Sequence, residues 1–352
     1  MVDQPNIRDV AKAAGVSTAT VSRALAQPDK VREATLKKVM DAVEKTGFVP
    51  NRQASMFRSR KSNTVILLVR DISNPFYLDI YKGVEEAAFA AGYKVLMGDA
   101  REDDERITHY IEAVRECHAD GLILMIGSFP QKLLEQTDRL PPIVVALEEI
   151  DGLKAPTVRV DNVAAAEGAV AHLIAKGHKR IVHLTGPLNE YLGKARLQGY
   201  RQALQKAGLP VDESLIMPGD FSLNAGYDQT ARLLADGVQF SAIFASSDQM
   251  AIGAASALRE KGLSIPEDVS LVGFDDTLIA SIFYPPLTTV YQPRREIGRA
   301  AMAMMIRKLS SQAADPMARN EVLEDQQFST ELITRNSVAP FDDARPGTQQ
   351  GD

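Results

Sequence analysis

The chain has 352 residues, 45% of them apolar, which admits two or three cored units but holds no run near the roughly 20 uncharged apolar residues of a membrane span. Its single cysteine, Cys117, excludes an internal disulfide and reads as inert helix packing; no export signal precedes the first element, so the expected compartment is the reducing cytoplasm. The net charge of −6 hides an asymmetry, since residues 1–62 carry 12 Lys/Arg against 6 Asp/Glu and the remainder 28 against 40. That is the pattern of a small basic nucleic-acid head on an acidic body, or of ordinary surface fluctuation.

The first elements lie in NIRDVAKAAGVSTATVSRAL, from Asn6. Ile7, Val10, Ala11 and Ala14 recur at helical spacing, and Gly15 suits a left-handed stop. Ser17 caps a second short helix with Val21, Ala24 and Leu25 inward. After the QPDK turn, Arg32 to Thr46 carries Leu36, Val39, Met40 and Val43 on one face, and Gly47 ends it. Such a unit is a generic three-helix cap or a helix-turn-helix. In the second case the second helix enters a major groove, with Thr18, Ala19, Ser22 and Arg23 turned from the core. Arg23 suits a bidentate guanine contact, Thr18 and the Ala19 methyl a thymine methyl, and Ser17 and Thr20 phosphate oxygens.

Residues 1–48 are therefore read as the head and residues 49–62, with the basic run NRQASMFRSRK, as a hinge. Beyond it buried-strand runs alternate with helical segments: VILLVRDI, KVLMGDA, DGLILMI, PIVVAL, RIVHLTG, SAIFASSD and VSLVGFD. Alternation of this kind predicts parallel α/β sheets with right-handed crossovers. The strands are too many for one small sheet, so residues 63–337 are expected to form two doubly wound lobes. Lobe one is drawn at about 63–161 plus 293–324, and lobe two at about 162–292 plus 325–337, with a ligand cleft at the strands' carboxyl ends. The polar tail 338–352 reads as disordered.

DVAKAAGVSTATVSRAL resembles the head of the lac repressor (LacI) family, whose pattern is a valine-alanine helix followed by GVS..TVSR.L. SNPFY, KGHKRIVHLTGP, GDF, ASSDQMAIGA, IPEDVSLVGFDD and PPLTTVYQP resemble family signatures, in family order, along almost the whole chain. Within the family, STATVSRAL, GDF, IPEDVSLVGFDD and PPLTTVYQPRREIG are most similar to the cytidine-repressor branch. The resemblance implies a homodimeric, sequence-specific repressor, with no catalytic role, cofactor, metal or membrane partner. Its head would hold double-stranded operator DNA, and its body, of periplasmic-binding-protein type, a small-molecule effector. Base readout falls to Thr18, Ala19 and Arg23. In the hinge Asn51, Ala54, Phe57 and the neighbouring Arg58 take the minor-groove positions, but Ser55 replaces the family's arginine and Phe57 its leucine. Phe57 wedges between base steps, or the segment stays a solvated linker.

The same resemblance places effector contacts at Asn74, Phe76 and Tyr77 after the first strand, and at Arg196, Phe221, Ser247 and Asp275. Arg196 and Asp275 suit hydroxyl groups and Phe221 a ring face, a set that fits a nucleoside such as cytidine, or ribose or another pentose. Taken singly, Phe76 and Phe221 read equally well as core, and Asp275 as a helix cap. Two departures bear on the effector. Leu147-Glu148 stands where sugar-binding relatives carry Asp-Arg, and Ser247-Asp248 where many carry Asn-Asp. An import receptor is the rival reading from another class. An enzyme finds no support in a G-x-G-x-x-G or P-loop segment, and His178 and His183 flank a strand as structural residues. RREIGRAAMAMMIRKLSS, with Met302, Met304, Met305, Ile306 and Leu309, reads as core or dimer surface, and no heptad-rich tetramerisation helix is expected after it.

Overall fold

A computed structural model describes residues 5–26, 28–48, 61–314 and 323–341. The expected hinge contacts Asn51, Ala54, Phe57 and Arg58 lie outside the described residues, as does the tail from residue 342. The chain divides into one unit, Met1–Lys61, and a second, Ser62–Asp352.

In the first unit α1 (Ile7–Ala14) and α2 (Thr18–Ala26) are followed by α3 (Glu33–Thr46). Asn6 Oδ1 accepts from the Arg8 N–H at 2.9 Å while the Asp9 carboxylate accepts from the Asn6 N–H at 2.8 Å, a reciprocal cap on α1. Gly15, at φ 66°, takes the left-handed turn that a side chain would resist. Val10, Ala11, Val21, Ala24, Val39 and Ala42 are the core, mostly small side chains that let three short helices close on one another. Met40, expected in that core, is 49% exposed; Ala42 takes the inward position instead.

The second unit holds two sheets with helices on both faces. In lobe one the strands β1 (Thr64–Val69), β2 (Lys94–Asp99), β3 (Gly121–Met125), β4 (Ile143–Ala146) and β5 (Thr157–Val160) are joined late by β11 (Gln326–Phe328), in the order β11-β5-β4-β3-β1-β2. All pair in parallel, Leu67 standing between Met97 and Ile123. Alternate β1 residues go to opposite faces. Val65, Leu67 and Val69 meet α4 (Phe76–Ala90) and α12 (Arg294–Ala314), whereas Ile66 and Leu68 meet α5 (Asp104–Arg115).

Lobe two repeats the plan with β6 (Ile181–Leu184), β7 (Ile216–Met217), β8 (Ala242–Ala245), β9 (Ser270–Asp275), β10 (Thr288–Tyr291) and β12 (Glu331–Ile333), in the order β12-β10-β9-β8-β6-β7. Only β12 is antiparallel among these pairings. One face packs α7 (Asn162–Ala175) and α8 (Tyr191–Lys206), the other α9 (Leu223–Ala235) and α10 (Asp248–Glu260). His183 is structural, stacked 4.8 Å from Phe244 and 5.0 Å from Tyr200, and burial drives its pKa down to about 3.

Several expectations are corrected. The return to lobe two comes after Phe328 rather than at the 324/325 boundary, because Gln326–Phe328 pairs with β5. The tail expected to be disordered from Val338 is seated as far as Phe341. His178 donates through Nε2 to Ala339 O at 3.1 Å, and the Phe341 N–H donates to Lys176 O at 2.8 Å. Met302, Met304 and Met305 are buried in the core of lobe one, with Ile306 and Leu309 packed against it, while Ala303 and Arg307 of the same helix are exposed. Cys117 lies just past α5 in a left-handed turn, φ 62°, and not in a helix.

Candidate functional site

Segments at or after the carboxyl ends of β1 and β4 in lobe one and of β6, β7, β8, β9 and β10 in lobe two contribute to one cavity of about 310 Å³. This is the crevice position that open parallel sheets offer a ligand. Asn74, Phe76, Tyr77, Arg196, Phe221, Ser247 and Asp275 all line it, brought together from five separate stretches of chain. Phe76 is largely buried yet forms part of the wall, so core and wall were not exclusive readings.

Arg196, on α8, is 3% exposed and held on three sides. Its Nε donates to Asn162 Oδ1 at 3.1 Å, its Nη1 donates to Ser246 O, and its plane lies 3.6 Å from the Phe274 ring centroid. With two donors spent on the protein, up to three of its five N–H groups serve the cavity. Asp275 ends β9 at φ 117°, a strained backbone for a residue with a Cβ. It accepts from Gln292 Nε2 at 2.8 Å, and its carbonyl accepts from Arg294, which does not make it a cap on α11 (Leu278–Ile282). Burial pushes its carboxyl up, with Arg196 opposing.

Phe221 is likewise left-handed, at φ 70°. Its ring rests on Gly186, where a Cβ would come within 2.1 Å of Cζ, and the guanidinium groups of Arg70 and Arg196 each lie 5.6 Å from its centroid. Ser247 holds this arrangement: its hydroxyl donates to Phe221 O at 3.0 Å and accepts from the Met250 N–H at 3.1 Å as the cap of α10. Both bonds are internal, so Ser247 positions Phe221 besides lining the cavity. Asp248 beside it is a second buried brace, accepting from Thr289 Oγ1 at 2.6 Å and from Thr277 N at 2.7 Å.

Of the wall residues that were not among the expected contacts, three stand out. Glu148, noted only as a departure, is 4% exposed, and its Oε2 has no hydrogen-bond partner. Burial raises its pKa to about 7, against the pull of Arg70 and Arg196 and a Leu192 N–H. Arg70, directly after β1, reaches across the cleft to the buried Glu190 of lobe two and also pairs with Glu102. Gln292 leaves Oε1 buried without a partner. The available signal was positional, since each follows a strand that the sequence already marked or one hidden in PPLTTVYQP.

In the head, Thr18, Ala19 and Arg23 stand exposed along α2, with Ser22 half-buried. Ser17 Oγ accepts from the Thr20 N–H at 3.1 Å and bonds its hydroxyl at 2.9 Å, so the two expected phosphate contacts are also the cap of α2.

Comparison with known proteins agrees with both units. Residues 6–51 match the model described as bacterial regulatory proteins, lacI family, and residues 62–332 that described as periplasmic binding proteins and sugar binding domain of LacI family. The HTH-type transcriptional repressor CytR of Escherichia coli (strain K12) is 40% identical over 333 residues, 94% of this chain and 96% of its own. The ribose operon repressor of the same strain is 32% identical over 307 residues, 86% of this chain and 93% of its own. The crystal structure of the Lac repressor dimer bound to operator and the anti-inducer ONPF aligns with a TM-score of 0.81 at 27% identity, over 96% of this chain and 100% of that one. The matched head sets aside the import-receptor reading, and the chain belongs to the LacI family as a DNA-binding transcriptional repressor with an effector-binding domain.

Proposed function

We propose that the effector is a nucleoside, cytidine foremost, and that a homodimer of this chain carries two heads onto a pseudo-palindromic operator. The observation that carries the effector is the wall chemistry: the Phe221 ring with two guanidinium groups 5.6 Å from its centroid, in one cavity with a buried carboxyl at Asp275. A base can stack on the first while pentose hydroxyls bond the second. CytR's name and its 40% identity add support, and Glu148 adds an acceptor that a plain pentose has less need of. Pairing is supported by apolar surface on and after α11, where Leu278, Ile282 and Tyr284 are 73–85% exposed. Thr18, Ala19 and Arg23 read bases in this account, with Ser17, Thr20 and Ser22 beside them and hinge residues Asn51, Ala54, Phe57 and Arg58 in the minor groove. The effector shifts operator affinity only by its differential affinity for two states of the body, about 1–3 kcal/mol of coupling.

A thermal-shift series on the full chain tests the effector, using cytidine, adenosine, their free bases and ribose. A specific ligand at ~100 times its Kd stabilises the fold by about 2.7 kcal/mol. A shift with cytidine or adenosine and none with ribose is expected. A shift with ribose alone reassigns the cavity to a pentose, the reading favoured if Asp275 and Arg196 are its only ligand contacts.

A further inference from the structure

We propose that Glu148 is the specificity-determining residue of this cavity, its carboxyl receiving a hydrogen bond from an amino group on the ligand's ring, so that amino-bearing nucleosides are selected over their keto counterparts. The inference rests on the nucleoside reading above and adds which part of the base is read.

Four acids line the cavity, and one of them, Glu148, keeps a buried oxygen without a partner although the Leu192 N–H faces its carboxyl. Asp71 accepts from Ser73, Asp220 from the Ser222 N–H, and Asp275 from Gln292. Glu148 Oε2 accepts from nothing, although the side chain is more than nine-tenths buried. A buried carboxyl oxygen with no partner is costly, and a ligand that supplies a donor removes that cost. Rotation about the terminal torsion, which is broad for glutamate, brings either oxygen to the lumen.

The position of Glu148 decides which part of the ligand it meets. It follows β4 in lobe one, whereas Arg196, Phe221 and Asp275 all belong to lobe two. A nucleoside whose sugar is held at Asp275 and Arg196 extends its base toward the opposite wall. Burial opposes the ionisation of Glu148 and raises its carboxyl to about 7, with Arg70 and Arg196 pulling the other way; above that pH the ionised form prevails, and it only accepts hydrogen bonds. The exocyclic amino group of cytidine or adenosine is a donor there. The keto oxygen of uridine instead sets lone pair against lone pair, and a site built to pair with a donor rejects the analogue that lacks it far more strongly than it rejects a change of size.

Calorimetric titration of the full-length protein at pH 8, where Glu148 is ionised, tests this with cytidine, adenosine, uridine and N4,N4-dimethylcytidine, which keeps the cytosine ring but loses both N–H donors. The wild type is expected to bind cytidine and adenosine at least about tenfold tighter than uridine, with the dimethyl compound falling beside uridine. In Glu148→Gln, the amide turns either its oxygen or its NH2 group to the ligand, so cytidine and uridine should come within about threefold of each other. Dimethylcytidine binding as tightly as cytidine overturns the proposal, as does an unchanged cytidine-to-uridine ratio in Glu148→Gln. Should that variant not fold, the wild-type series decides alone. A wild type that binds ribose and no nucleoside refutes the nucleoside reading itself, a result distinct from either of these.

Discussion

Glu148 meets the cost of its burial by holding a proton that the unfolded chain releases. Its carboxyl is raised from the ordinary value of 4.5 to about 7, with the Arg70 and Arg196 guanidinium groups and the Leu192 N–H facing it. Between those values the folded state binds more protons than the unfolded state, so this residue's contribution to stability falls as pH rises from about 4.5 to 7 and is flat above. Glu148→Gln removes the titration. The variant should exceed the wild type at pH 8 by about 2 kcal/mol and match it near pH 5, read from urea midpoints at both values. An equal difference at both pH values would show that Glu148 does not titrate in this range. The contrast with Ser247 shows what was legible at this scale. Motif order named seven wall residues that do meet in the cavity, because each sits at a strand's carboxyl end or in the loop or helix that follows it. It could not tell that the Ser247 hydroxyl is consumed in bracing Phe221, or that Arg70 and Gln292 join the wall, since those depend on which partners the folded chain brings to each side chain.

At the scale of elements, long apolar runs such as VILLV and VSLVGF were readable because a strand buried on both faces needs no alternation. Strands β7, β10, β11 and β12 span two to four residues each, and sequences such as TTVY and QQF carry too little apolar signal to mark them. Missing β11 is what misplaced the last lobe boundary. Nor could periodicity reveal how closely helices approach. α4 and α12 cross through two glycines: a Cβ on Gly83 would lie 2.0 Å from Arg295 O, and one on Gly298 2.2 Å from Ile80 O. Neither backbone can give way cheaply. Gly83→Ala should therefore destabilise the body by about 2 kcal/mol or more, seen as a lowered urea midpoint. Gly168→Ala, exposed on α7 with open space at the Cβ position, is the matched control and should gain about 0.5–1 kcal/mol from helix propensity alone. Equal effects at the two sites would mean that the crossing tolerates the methyl group.

At the scale of the whole effector-binding unit, two sheets share one strand order although the sequence shows no internal repeat, so topology is repeated where residues are not. What joins the lobes is then a matter of a few side chains. Arg294, at a crossover, bonds the carbonyls of Asp275 and Asp276 in lobe two while contacting Asp79 of lobe one at 3.3 Å. Arg70 and Glu190 form the second tie, with Glu190 only 3% exposed and fitted against Gly127. Because Arg70 lines the cavity, its removal would confuse ligand contact with lobe closure; Glu190 does not line it, and so isolates closure. Glu190→Gln keeps the shape of the side chain and removes its charge, leaving Arg70 paired with Glu102. If this pair holds the lobes together, the closed, binding-competent state becomes less populated and the apparent Kd rises in proportion to the lost fraction. A tenfold fall in that population, about 1.4 kcal/mol, weakens cytidine tenfold without altering the cytidine-to-uridine ratio that Glu148 is proposed to set. Titration of Glu190→Gln with both nucleosides separates the two roles: an unchanged affinity removes the pair as a closure tie, and a changed ratio would place Glu190 in the recognition of the base.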